Sequence, residues 1–181
     1  MAKTLKPYNL ITDFVTGKKV PNIGAEENRQ AVERYLVEEK GYQKEDIEVD
    51  ADIEIAIEGQ CYRSQIDLVV SVGGRRFMAI KCAAGSLESR EREILSAARI
   101  LDPHPLPRAV VTDGKTAIVL DTLSGKKITQ APMTAIDSRK EAEAIVSQTA
   151  FQPLTQERLK RERLIFRAYD RLNVNVQRNI R

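Results

Sequence analysis

The feature that most constrains the fold is a run of alternating residues between positions 47 and 58. Apolar side chains stand at every second position, with acids at nearly all positions between them. A period of two is typical of a β-strand with one face buried and the other in water. The run therefore predicts a long strand with one face on a core. The acids of the other face are Glu48, Asp50, Asp52, Glu54 and Glu58. Because they are spread along one exposed face, we interpret them as solubilising and not as a metal site.

A β-hairpin is predicted next, from two apolar strands at 62–72 and 75–82 joined by a tight turn at Gly73-Gly74. Asp67 lies inside the apolar part of the first strand, and Lys81 lies near the end of the second. A charged side chain in such a run is costly unless it is paired or binds a cation. Pairing the strands about the turn places Asp67 and Lys81 nearly opposite each other.

Two interpretations of this acid–lysine pair stay open on spacing alone. A carboxylate can help to hold Mg²⁺ while an ammonium group positions water and stabilises developing negative charge, as phosphodiester hydrolysis requires. The alternative is a cross-strand salt bridge, which contributes roughly 0.2–1 kcal/mol to stability.

The remaining patterns predict further strands and helices in alternation. Short strands are expected at 10–14 and up to Pro21, strands at 108–112 and 116–121, and helices at 25–40, 86–101 (capped by Ser86) and 138–146 (capped by Ser138). This order predicts an α/β fold with a central mixed sheet and helices on its faces. We assign residues 1–150 to this domain and residues 151–181 to a basic helical extension.

The C-terminal segment differs from the rest of the chain in charge. Residues 151–181 contain eight Lys or Arg and three acids, whereas the whole chain has a net charge of only +3. An amphipathic helix is predicted at 153–172, with apolar positions at Leu154, Leu164, Ile165 and Tyr169. A basic arm of this kind fits contact with phosphates, although a solvated helix face would have the same composition.

Several classes of protein and site are disfavoured by the sequence. No window approaches about 18 consecutive apolar residues, and no signal peptide is apparent. Cys61 and Cys82 are too few for a disulfide framework, so we expect a cytoplasmic protein. Gly114-Lys115-Thr116 lacks the earlier glycine of an ATP-binding loop, since position 109 is Ala, and is interpreted as a turn. His104 stands between prolines, which disfavours a histidine-based triad.

A series of short motifs, in order along residues 24–121, resembles one known family. They are Ala25-Glu26-Glu27-Asn28-Arg29-Gln30, Lys40-Gly41-Tyr42, Asp67-Leu68-Val69-Val70, Ala79-Ile80-Lys81-Cys82-Ala83 and Val111-Thr112-Asp113-Gly114. In this order and spacing the chain resembles the N-terminal nuclease domain of the R subunit of type I restriction enzymes, within the PD-(D/E)XK nuclease superfamily. The resemblance implies a restriction-endonuclease-like mixed sheet flanked by helices, with the C-terminal helix added to it.

The resemblance also implies a set of site residues. Asp67 would bind Mg²⁺ and take part in catalysis, Lys81 would activate the water, and Glu26, or Glu27 in a shifted alignment, would assist. The sequence departs from the family at Ala79, where a second acid is expected. That acid is replaced in some members by one on the following helix. Glu93 is the better match here and Glu91 the alternative, while an exposed, ion-paired helix face would explain both acids without a site.

Two functional hypotheses follow from the resemblance. The first is a Mg²⁺-dependent DNA endonuclease domain that works with other restriction-system subunits. Its DNA-backbone contacts would come from the basic helix, through Arg158, Lys160, Arg161, Arg163, Arg167 and Arg171. The second is a catalytically inactive DNA-binding or protein-interaction module with the same fold, which Ala79 favours. No ATP-driven motor is carried over, because no ATP-binding loop occurs in the sequence.

Overall fold

The computed structural model describes residues 9–171. The strands are β1 (Leu10–Thr12), β2 (Lys19–Pro21), β3 (Ile47–Ile57), β4 (Gln60–Val72), β5 (Arg75–Cys82), β6 (Arg108–Thr112), β7 (Thr116–Asp121) and β8 (Lys127–Pro132). The helices are α1 (Glu26–Glu38), α2 (Glu91–Ile100), α3 (Arg139–Gln148) and α4 (Gln156–Asp170). None of these helices is long and apolar enough to span a membrane.

The central sheet has six strands in the order β3-β4-β5-β6-β7-β8, and β1 and β2 form a separate two-stranded ribbon. Among the strands of the described residues, only β5 and β6 pair in parallel, and α2 supplies the crossover that a parallel connection requires. The predicted mixed α/β sheet with flanking helices is therefore confirmed. The Gly114 turn also joins two strands, β6 and β7, as the sequence predicts.

The sheet separates two apolar cores. On one face, Ile94 of α2 and Phe166 of α4 pack against the sheet, and on the other, Leu36 of α1 and Ala142 of α3 do so. A sheet buried on both faces explains the long apolar runs in β4 and β5, which do not alternate.

The predicted apolar face of β3 is not continuous, because the strand changes faces at Asp50. Ile47 belongs to the core under α1, whereas Ala51 and the following apolar residues belong to the core under α2. Asp50 has a positive φ of 52°, which reorients the chain at this point. The predicted solvated face holds for the other four acids, which are exposed, whereas Asp50 is half-buried and ion-pairs with Arg29.

The two predicted helix caps have different outcomes. Ser138 caps α3 and forms a capping box with Glu141, as predicted. Ser86 does not cap α2, because a short 3₁₀ turn over Glu88–Arg90 intervenes and α2 begins without a side-chain cap.

The prediction of the apolar face of α4 is right only in part, since Ile165, and Leu154 just before the helix, are half-buried. Leu164 and Tyr169 are 43% and 39% exposed, whereas Glu162, Phe166 and Asp170 are buried. These three residues are spaced by four and form one stripe that faces α2 and β3. The two acids are tolerated there because each has a hydrogen-bond partner, Ser96 and Arg99 for Glu162 and the half-buried Tyr62 for Asp170. The predicted helix end at Leu172 lies outside the described residues, and the domain boundary at residue 150 stays a prediction.

Candidate functional site

The site begins where two central strands part. The ladder between β4 and β5 ends at the pair Leu68 and Ile80, so Asp67 and Lys81 are the next opposed positions. This confirms the predicted register. Beyond the last pair, Asp67 Oδ2 accepts a hydrogen bond from the backbone N–H of Cys82 at 2.8 Å. A side chain thus satisfies a buried donor that the neighbouring strand does not reach.

Lys81 lies between two buried carboxylates. Its Nζ is 3.5 Å from Asp67 Oδ2 and 3.4 Å from Glu93 Oε1. The side chains of Lys81, Asp67 and Glu93 are only 6%, 9% and 5% exposed. Glu93 reaches this position because α2 packs on the face of the sheet to which Lys81 points. Glu91, the alternative acid, forms an ion pair with Lys127 at 2.8 Å.

The charged groups of this cluster shift one another's pKa values. Burial lowers the pKa of Lys81, but Asp67 and Glu93 more than offset it, so that the pKa lies above its ordinary value. Lys81 is therefore an ammonium group at neutral pH, which can donate hydrogen bonds but has no lone pair with which to accept a proton. Burial raises the pKa of Glu93, while Lys81 and Arg90 oppose that effect.

Asp170, at the end of α4, is a further buried acid that sequence reasoning did not identify. It accepts a hydrogen bond from the hydroxyl of Tyr62. Its negative charge contributes to raising the pKa of both Lys81 and Glu93, which places it within electrostatic range of the cluster. The sequence does contain a signal for the burial of Asp170. Asp170 stands four residues after Phe166 and therefore lies on the same face of the helix as this apolar residue.

Glu26 lies in a second buried polar network, on α1. Its Oε1 accepts hydrogen bonds from Arg29 Nη2 at 2.8 Å and from Gln30 Nε2 at 3.0 Å. Arg29 also forms ion pairs with Asp13 and Glu33. Glu27, the alternative in the sequence, is exposed and accepts a hydrogen bond from Asn22 Nδ2 at 2.8 Å.

Charged groups of both networks affect the pKa of Cys82. Burial raises the pKa of its thiol well above the ordinary value, and Asp67 adds to the rise. Opposing contributions come from Arg29 and Lys81, one from each network. Cys82 therefore lies within electrostatic range of both networks.

The donor set of the Lys81 cluster fits a hard cation only in part. Asp67 and Glu93 supply carboxylate oxygens, which Mg²⁺ prefers, and Mg²⁺ in substrate complexes commonly uses one or two carboxylates with phosphate and water. Ala79 is fully buried in the core under α2 and offers no oxygen ligand there. Within residues 9–171, no three acidic, His or Cys side chains converge closely enough to hold a metal ion together.

The basic side chains of α4, and of Arg171 directly after it, are not equally accessible. Lys160, Arg161 and Arg171 are exposed, whereas Arg158, Arg163 and Arg167 are half-buried. Arg158 Nη2 donates to the carbonyl of Leu123 at 2.9 Å, which fixes its guanidinium on the surface of the domain. Contact of this helix with DNA stays a prediction.

A mixed sheet flanked by helices, with an added C-terminal helix, places the chain in the class of restriction-endonuclease-like α/β domains. The family model described as the type I restriction enzyme R protein N terminus matches residues 24–137, and the chain belongs to that family. Membership implies a restriction-related, nuclease-like domain. Asp67, Lys81 and Glu93 fall within the match, whereas α3 and α4 follow it. No curated protein and no solved structure matches the chain significantly.

Proposed function

We propose that the chain is a Mg²⁺-dependent DNA endonuclease domain of the PD-(D/E)XK type, hydrolysing phosphodiester bonds. The observation that carries the proposal is the enclosure of one ammonium group, Lys81, by the carboxylates of Asp67 and Glu93 where two central strands part. A buried salt bridge is a poor source of stability, because desolvating three charges offsets most of their attraction. Its position at the open end of a strand pair instead favours a role in chemistry.

Each residue then has a distinct role. Asp67 and Glu93 would hold the ion, and bound Mg²⁺ would supply a lowered pKa for water and neutralise charge on the phosphodiester. Lys81 would donate hydrogen bonds to the attacking water and to the phosphate oxygens that gain negative charge. Its raised pKa keeps it charged for this purpose. Glu26 would assist indirectly, by holding Arg29 beside the strand that carries Lys81.

Family membership favours DNA and other restriction-system subunits as partners. The exposed Lys160, Arg161 and Arg171 would contact the DNA backbone and make binding salt-dependent and largely independent of sequence.

One observation favours a second function, that of a DNA-binding or protein-interaction module without catalysis. Ala79 removes a carboxylate from the face of β5 that carries Lys81. With two acids already paired to Lys81, affinity for a divalent cation would be low. This alternative predicts salt-sensitive DNA binding without cleavage in the presence of any divalent metal.

A plasmid-nicking assay with Mg²⁺ or Mn²⁺ tests the two functions. Lys81→Met keeps the length of the side chain and removes its charge, and loss of such an electrostatic group lowers rates by about 100-fold or more. Glu93→Gln, which keeps the shape of the acid, provides a second variant should Lys81→Met fail to fold. We expect both to lose nicking.

Arg76→Met is the matched control, because Arg76 lies on the same strand and also pairs with two acids, Glu48 and Asp102, at the other end of the hairpin. It should nick at the wild-type rate. Nicking by Lys81→Met at the wild-type rate would contradict the assignment. Wild-type protein that binds DNA but nicks under neither metal would establish the inactive module.

A further inference from the structure

A cleft lined by arginines lies between α2, the start of α4 and the turn at Ser124-Gly125. Its volume is about 410 Å³. The arginines are Arg92 and Arg99 from α2 and Arg158 and Arg161 from α4. We call this feature the arginine cleft. None of its lining residues belongs to the Lys81 cluster, although Arg92 is the neighbour of Glu93 on α2.

Positive charge in the arginine cleft is incompletely neutralised. Of the two acids that line it, Glu162 is fully used, since one oxygen pairs with Arg99 at 2.8 Å and the other accepts from Ser96 at 3.0 Å. Glu157 is exposed. Across residues 9–171, neither Arg92 nor Arg161 takes part in an ion pair.

Neutral carbonyls hold two of the guanidinium groups in place. Arg99 Nε donates to the carbonyl of Thr122 at 2.9 Å, and Arg158 Nη2 donates to the next carbonyl, that of Leu123, at 2.9 Å. A carbonyl orients a guanidinium without cancelling its charge. The absence of a side chain at Gly125 leaves room for the guanidinium of Arg99, because a Cβ there would stand 2.9 Å from Arg99 Nη2.

The charged form of Arg99 is destabilised by its burial and by the positive charges of its neighbours. Its side chain is only 6% exposed. Burial lowers the pKa of Arg99, and Arg158 and Arg92 lower it further, with Glu162 opposing them. An oxyanion in the cleft would relieve the repulsion among these arginines and accept charge-assisted hydrogen bonds from planar donor groups.

We propose that the arginine cleft is a binding site for a phosphate group, with Arg92, Arg99, Arg158 and Arg161 as its donors. The phosphate comes either from a nucleic-acid backbone or from a small polyphosphate. For a nucleic-acid phosphate the site rests on the DNA binding proposed above, to which Arg161 already belongs. It does not depend on the proposed hydrolysis, because none of its arginines belongs to the Lys81 cluster and binding needs no metal.

Binding is measured in EDTA, so that its outcome is independent of cleavage. One arm titrates inorganic pyrophosphate by calorimetry, and the other follows a labelled 20-base-pair DNA duplex by fluorescence anisotropy at several salt concentrations. The test variant is the double substitution Arg92→Gln with Arg161→Gln, because both side chains are exposed and the fold does not depend on them. The matched control is Arg63→Gln, an exposed arginine on the hairpin that is ion-paired with Glu54.

We expect the double variant to bind phosphate about tenfold or more weakly, while the control binds as the wild type does. In the DNA arm, the slope of log affinity against log salt should become shallower by about 0.9 for each DNA phosphate that the variant no longer neutralises. Weakening in both arms or in the DNA arm alone assigns the site to the nucleic-acid backbone, and weakening in the pyrophosphate arm alone assigns it to a small polyphosphate. Affinities in both arms within twofold of the control would overturn the proposal.

Discussion

Glu33 gives a quantitative prediction about stability and pH. Its side chain is fully buried beside Asp13, Glu26 and Arg29, with one oxygen accepting from the backbone N–H of Val15 at 3.2 Å. Its pKa is raised from 4.5 to about 7, mainly by burial, with Asp13 adding to the rise and Arg29 opposing it.

The sign of the pH effect follows from proton binding. The folded protein keeps the Glu33 proton to a higher pH than the unfolded chain does, so it binds more protons between about pH 4.5 and 7. The stability contributed by Glu33 is therefore full below pH 4.5 and is lost as the pH rises through 7. The gap between the two pKa values corresponds to about 3 kcal/mol, at roughly 1.4 kcal/mol per pKa unit.

Glu33→Gln removes this dependence, because the amide stays neutral and its carbonyl can still accept from Val15. Urea denaturation followed by circular dichroism at pH 4.5, 6, 7 and 8 measures the free energy of unfolding. Relative to the wild type, the variant should gain about 3 kcal/mol from the lowest to the highest pH. Glu38→Gln, exposed on the same helix, is the control and should follow the wild type. Parallel curves for Glu33→Gln and the wild type would refute the linkage.

Two further predictions concern α4. Phe166→Ala should lower the free energy of unfolding by about 3–5 kcal/mol in the same denaturation assay, because Phe166 is fully buried and leaves a cavity under the helix. Exposed Leu164→Ala should change it little, and an equal loss would contradict the observed orientation of the helix. Asp170→Asn should lower the pKa of Glu93 and of Lys81, because it removes a negative charge that raises both. Carboxyl carbon NMR across pH measures the change at Glu93, and an unchanged titration would show that Asp170 does not act on the cluster.

The hairpin could be predicted from the sequence because its determinants are local. The two-glycine turn pairs Val72 with Arg75, and a bulge between Val70 and Ser71 then shifts the pairing by one residue, so that Asp67 stands opposite Lys81. The glycines predict the turn but not this bulge. The strand boundaries of β5, β6 and β7 also agree with the sequence pattern, since each is a short apolar run between turn residues.

Strand β8 could not be predicted in the same way. Its sequence, KITQAP, has neither a buried face nor a continuous apolar run, because it lies at the edge of the sheet and is largely exposed. It forms by pairing with β7, a tertiary contact that local propensity does not encode.

The orientation of α4 could not be predicted because hydrophobicity alone ranks its faces wrongly. Burial of Glu162 depends on Arg99 and Ser96, which lie more than 60 positions away on α2. A charged residue is buried in a folded protein only where it has charged or hydrogen-bonding partners. Such partners become visible only when the helices are assembled.

Contacts between distant elements also explain how the cluster keeps its negative charge with Ala79 in place of the expected acid. The loss of one carboxylate from β5 does not leave the Lys81 cluster short of negative charge. Glu93 contacts Lys81 directly, and the charge of Asp170 reaches both residues from α4. Three buried acids therefore act on one ammonium group, and all the elements that deliver them meet on one face of the sheet. Because Asp170 lies beyond the residues matched by the family model, the electrostatics of this cluster depend on a helix that the shared family region does not include.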